Sequence, residues 1–147
     1  MQSLGLLILR IVTGVIFVVH GLPKLIGGPG SSEKISEQQM RILGEPFSAF
    51  MESGGIENTA KSFEGMGIPN SKAMAWVAGL TEVLGGLAVI LGIKTRPAAL
   101  GLATIQVVAI GKLTGQKGLV GGYELNLSLL AASAAIAVAG PGKLSKD

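Results

Sequence analysis

A small set of side chains in this sequence has the right type and placement to do chemistry inside an apolar environment: Arg10, His20, Lys24, Glu82, Lys112, Tyr123 and Glu124. His20 is the only histidine. It lies in the run LGLLILRIVTGVIFVVHGLPKLI, from Leu4 to Ile26, which is apolar enough for lipid and yet also carries Arg10 and Lys24. An ionisable group in hydrocarbon costs about 2.5–3.5 kcal/mol on insertion scales, so each needs a partner and a reason. An imidazole and a carboxylate in such a place can relay protons, and an ammonium can hold an anionic or carbonyl group.

The spacing puts the three on one face. At about 100° per helical residue, with Arg10 at zero, His20 falls at roughly 280° and Lys24 at roughly 320°, within an arc of about 80°. That face is expected to point into a helix bundle. Two acids are available to it. Glu82 is near the middle of a second apolar run, flanked by Gly79, Gly85 and Gly86, and is expected to form a structural ion pair with Arg10, whose planar fork suits a carboxylate. Glu124 opens a fourth run, at the end expected to lie beside His20. A cluster at that mouth follows, with His20 and Glu124 as candidate catalytic groups and Lys24, Tyr123 and Lys112 as candidate binding groups. Gln106 and Asn126 extend it by hydrogen bonds. Against this stand plainer roles: a lysine reaching for the interface, an interfacial tyrosine, a histidine that only packs.

The elements that must position these groups are helices. Of the 147 residues 48% are hydrophobic and 14% charged, against roughly 25% charged in a soluble domain, and the mean hydropathy is +0.58. The expected fold is all-α, a polytopic membrane four-helix bundle forming a single domain, with spans at about 4–26, 73–93, 97–113 and 123–139. Twenty-three glycines suit helices that approach closely where no hydrophobic force draws them together. There is no cysteine, which excludes a disulfide framework, a catalytic thiol and thiolate-held metal. No metal site is expected, since a lone histidine without cysteine or a neighbouring acid is a poor ligand set. The net charge of +3 is scattered and carries no nucleic-acid patch. The first run has no basic leader and no small-residue cleavage site, and reads as a retained span rather than a signal peptide.

The connections are unequal. The first, residues 27–72, is long and holds most of the acids. Within it Glu37–Met51 has patches of helical periodicity broken around Pro46, and Ile56–Gly65 reads as a short amphipathic helix. It is expected on the membrane surface or over the bundle mouth. The second is a tight turn at Lys94-Thr95-Arg96, with Pro97 at a helix start. Four spans put both termini on one side; the basic residues of the short turn and tail favour the cytoplasm for that side of an inner-membrane, multi-pass protein, although the opposite side carries more basic residues over more polypeptide.

Several stretches, in order, resemble the DoxX family of small membrane proteins. LRIVTGVIFVVHGLPKLIGG at Leu9–Gly28 is similar to its opening signature of an Arg, a Gly and Phe-x-x-His-Gly-x-x-Lys. FEGMGIPNS at Phe63–Ser71 resembles its Phe-x-x-x-Gly-x-Pro entry to the second span. TEVLGGLAVILGIKTRPAAL at Thr81–Leu100 resembles its Glu-x-x-Gly-Gly and Gly-x-x-Thr-Arg segments, and GGYEL at Gly121–Leu125 and AGPGKLSKD at Ala139–Asp147 its last span and tail. Residues 30–54 look like an insertion. The resemblance implies a four-helix inner-membrane protein, some relatives of which are linked to thiosulfate:quinone oxidoreductase as a subunit that meets quinone.

The expected function is therefore a membrane subunit of a redox-associated system. Quinone is the candidate ligand and cofactor, the lipid bilayer the surrounding partner, and a redox subunit or a second copy the candidate protein partner. If enzymatic at all, the chain is an oxidoreductase subunit acting with that partner. The alternatives are a non-enzymatic scaffold of DoxX type and a small-molecule or lipid transporter.

Overall fold

The computed structural model describes residues Met1–Asp147. The chain is all-helical: α1 is Gln2–Ile26, α2 Glu37–Leu43, α3 Glu45–Glu52, α4 Ile56–Gly65, α5 Ser71–Leu91, α6 Thr95–Ala109 and α7 Glu124–Ala139. Four stretches are long and apolar enough to cross a membrane: Gln2–Ile26, Ser71–Leu91, Thr95–Lys117 and Leu119–Ala139. At 1.5 Å per residue α1 is roughly 37 Å long, enough for a hydrocarbon core of ~30 Å. Its large apolar side chains Leu4, Ile8, Val12 and Val15 are exposed, as are Leu80, Leu84, Leu87 and Leu91 on α5. Outward stripes at three- and four-residue spacing belong against lipid, not water.

The chain divides into two compact units, Met1–Val18 with Thr81–Asp147, and Val19–Leu80. In the first, all four spanning helices supply one apolar core: Phe17 from α1, Val89 from α5, Ala99 and Leu102 from α6, and Leu129, Ile136 and Ala137 from α7. Glycine sets how closely the helices meet. A Cβ on Gly14 would stand 2.6 Å from the Gly86 carbonyl oxygen and 2.5 Å from an Ile90 side-chain carbon, so α1 and α5 touch through backbone there. α6 begins two residues before Pro97, after Lys94 in the left-handed region at φ 45°. Beyond Ala109 the backbone widens into a π-type turn, Ile110–Thr114. This carries the third apolar stretch past Leu113, where the hydropathy pattern alone ends it.

In the second unit the long link is ordered and partly helical. Ser36 and Gln39 form a reciprocal capping box that starts α2. Gly44, at φ 91°, separates α2 from α3, so the break expected around Pro46 falls just before it. α4 covers Ile56–Gly65, the segment whose periodicity marks it as helical. An exposed Lys72–Glu57 ion pair at 2.8 Å joins the start of α5 to α4.

Candidate functional site

The charged groups of the first unit are built into its frame. Arg10 is 1% exposed. Its Nε donates to the Val89 carbonyl at 2.9 Å and its Nη2 to Ile90 at 2.9 Å. Its Nη1 donates to the carbonyls of Pro141 and Leu144, both at 2.7 Å. This corrects the expected pairing with Glu82. The last carbonyls of a helix have no donors of their own, and α5 ends here in a Schellman turn, with Ile93 N–H on the Ala88 carbonyl and Gly92 at φ 71°. Glu82 stands seven residues before Val89, about 10 Å back along the helix axis. It is 5% exposed within α5. Arg10 thus joins the end of α5 to the tail that follows α7.

That tail folds under the α5–α6 turn. Lys146 N–H donates to the Gly92 carbonyl at 3.1 Å. The Asp147 carboxylate accepts from Lys94 N–H at 2.6 Å and Thr95 N–H at 2.9 Å, capping α6 from a distance in sequence. The Thr95 N–H first, then the Lys94 N–H and the nearby Arg10 charge, hold the Asp147 carboxyl below its ordinary range. Sequence reasoning assigned no role to Asp147, Pro141 or Leu144. The Gly-Pro-Gly at residues 140–142, a sharp stop after an apolar helix, is the signal that the tail must turn back.

The residues expected at the mouth from the third and fourth spans lie around the link between them. Glu124 is exposed at the start of α7, and its carboxylate accepts from Gly121 N–H at 3.0 Å. Tyr123 is half-buried as the residue before α7, and Lys112 is exposed. Lys112 and Glu124 form no ion pair with one another. Gln106, 5% exposed, accepts from Asn126 Nδ2 at 2.9 Å, so these two do meet, across α6 and α7.

His20 and Lys24 belong to the second unit and have a different setting. His20 is half-buried. Its ring lies 6.1 Å from that of Phe50, centroid to centroid, at an interplanar angle of 44°. Lys24, one turn on, donates from Nζ to the His20 carbonyl at 3.2 Å. Around the end of α1 the backbone is close-packed through glycine. The Pro23 carbonyl accepts from Gly27 at 3.0 Å and from Gly55 at 2.8 Å, and a Cβ on Gly54 would stand 2.1 Å from that oxygen. Beside it an open cleft of about 440 Å³ is lined by Leu25, Gly28, Ile56, Asn58 and Trp76 among others. Phe50, half-exposed on α3 within the apparent insertion, was not foreseen as a neighbour of His20.

An all-helical chain with four apolar helices of spanning length and a buried arginine whose three nitrogens are all hydrogen-bonded is a multi-pass membrane protein. The DoxX family model matches residues 5–117, and the chain belongs to that family. It is similar to the protein named "Putative oxidoreductase CatD" of Bacillus subtilis (strain 168), with 28% identity over 145 residues covering 99% of this chain and 86% of that protein. No solved structure matches.

Proposed function

We propose that this protein is the membrane subunit of a redox-associated system and meets a quinone at the His20 end of α1. The observation that carries this reading is the contrast in how the charged groups are held. Arg10 is sealed and spends its donors on four carbonyls. His20 is only half-buried and has an aromatic ring beside it. These surroundings fit a flat ring bearing carbonyl oxygens: an aromatic face to lie against, an imidazole to donate to oxygen, and an ammonium one turn away. DoxX membership and the name of the Bacillus relative support the redox association.

In this reading a quinone accepts two electrons and two protons, and the electrons come from a partner subunit that carries its own redox centre. The chain's part is to bind and orient the ring and to pass protons. His20 is the proton-carrying group and Lys24 holds a carbonyl or anionic oxygen. Glu124, Tyr123 and Lys112 form a secondary set at the α6–α7 link, where Glu124 can take up protons from the aqueous side. The protein sits in the inner (cytoplasmic) membrane with both termini in the cytoplasm, as the basic residues Lys94, Arg96, Lys143 and Lys146 favour.

The test is quinone binding by the purified protein in lipid nanodiscs. Added quinone is expected to raise the melting temperature of the wild type, since a ligand that binds only the folded state stabilises it by mass action. His20→Ala is expected to fold and to lose that shift. No shift in the wild type, and no quinone in its lipid extract, would overturn the reading. A folded His20→Ala variant that supports the cellular phenotype in full would favour the scaffold instead.

A further inference from the structure

The apparent insertion, residues 30–54, leaves the end of α1 and returns to it through a narrow neck. Gly28 N–H donates to the Met51 carbonyl at 2.7 Å. The Glu52 carboxylate accepts from Gly30 N–H at 2.8 Å, from Ser32 N–H at 3.3 Å and from the Ser32 hydroxyl. Glycine permits the close passage: a Cβ on Gly27 would meet the Met51 carbonyl oxygen at 2.5 Å. Beyond the neck the segment is thinly attached. α2 has no buried residue, and in α3 only Met51 is buried. Gly30, Gly44 and Gly55 all have positive φ at its turns. Phe50 lies one residue from Met51 and two from Glu52, and its ring rests against His20 while staying 48% exposed.

We propose that residues 30–54 form a lid on His20, with Phe50 as the leaf that covers the imidazole and Glu52 as the latch that holds the leaf down. Phe50 is a positioning residue: it sets which face of the imidazole a ligand reaches and how wide that ligand is. Two features make it movable rather than core. A segment with few buried contacts opens at low cost, and Phe50 leaves nearly half its surface to solvent or lipid. Two features give it a defined closed state. The latch hydrogen bonds go to a carboxylate, which makes them strong ones, and the Phe50 ring pairs with the lone histidine. A flat ring entering beside His20 takes the place of Phe50 or stacks on it. In that last step the inference rests on the quinone reading. The lid itself does not.

The single histidine makes the experiment clean. The full chain in nanodiscs is treated with diethyl pyrocarbonate at neutral pH without quinone, and carbethoxylation of His20 is followed by mass spectrometry. Phe50→Ala and Glu52→Gln are each expected to speed labelling by about three- to tenfold, the factor that one lost hydrogen bond or contact is worth. Phe50→Tyr, which keeps the ring, is expected to label at the wild-type rate. Wild-type rates in both Phe50→Ala and Glu52→Gln, with helical circular dichroism intact, overturn the lid. If either variant loses its helical signal, Ser32→Ala decides: it removes one latch donor, and faster labelling supports the lid while an unchanged rate overturns it. Because no quinone is present, failure here is distinct from failure of the quinone reading.

Discussion

The Arg10 surroundings and the His20 surroundings use the same kinds of atoms to opposite ends. Around Arg10 a buried cation meets four carbonyls of the helix end and the tail, of which only Val89 also accepts from a backbone N–H, that of Gly92. Around His20 the carbonyl of Pro23 pairs with the N–H of Gly55, and the Lys24 ammonium donates to the His20 carbonyl. Beside Arg10 a side chain satisfies the backbone, whereas between Pro23 and Gly55 backbone pairs with backbone.

This contrast breaks most readily at Arg10. Arg10→Met removes a charged donor from four buried or part-buried carbonyls, of which Val89 keeps only the Gly92 N–H, and a hydrogen bond to a charged group contributes about 1.5–3 kcal/mol. A loss of roughly 4 kcal/mol or more in unfolding free energy is expected, read as a collapse in melting temperature and yield. Arg10→Lys is expected to recover only part of it, because an ammonium is a point charge without the fork that reaches helix and tail together. His20→Ala is expected to lower the melting temperature much less than Arg10→Met, and an equal fall in both variants would erase the distinction.

Next in size is the helix contact beside Arg10. Gly14→Leu must fit a side chain where even a Cβ would be 2.6 Å from the Gly86 carbonyl oxygen. A cost of about 1–3 kcal/mol is expected from overpacking, measured by thermal unfolding in detergent. Gln106→Leu removes the acceptor for Asn126 and is expected to cost about 1 kcal/mol. A double-mutant cycle with Asn126→Leu should recover most of that.

Acid should loosen the periphery of both units before it touches Arg10. Ser32 foremost, with the Gly30 N–H, holds the Glu52 carboxyl below its ordinary 4.5, and the Thr95 N–H foremost holds Asp147 below its ordinary 3.8. A depressed carboxyl stabilises the fold above its ordinary pKa, and that contribution disappears as pH falls through the lower folded value. Amide exchange at Gly30 and Ser32, and at Lys94 and Thr95, is expected to rise relative to the core as pH drops below about 4. Exchange at Val89 and Ile90 should not follow. At the small end, Glu57→Gln breaks the exposed pair with Lys72 and is expected to change the melting temperature by no more than measurement error.

Much of the frame was legible from hydropathy and glycine content, because apolar length and small-residue packing are written in side chains. The helix at Ile56–Gly65 followed from Ile56, Ala60 and Phe63 on one side. The partner of Arg10 did not follow. Charge-matching looks for a carboxylate and finds Glu82, whereas the true acceptors are main-chain oxygens that every residue possesses. Asp147 was invisible for a different reason, since capping at such sequence separation leaves no local pattern, and Pro141 showed only as part of the Gly-Pro-Gly stop. Phe50 was hidden because only the fold of the inserted segment brings α3 back to the end of α1.

The central claim is that the His20 end receives the ligand. It is tested most directly by the rate of His20 carbethoxylation in the wild-type protein, in nanodiscs, with and without saturating quinone. Protection of His20 by quinone, and none by a lipid of equal chain length lacking the ring, is the expected result. Equal labelling rates with and without quinone would contradict it.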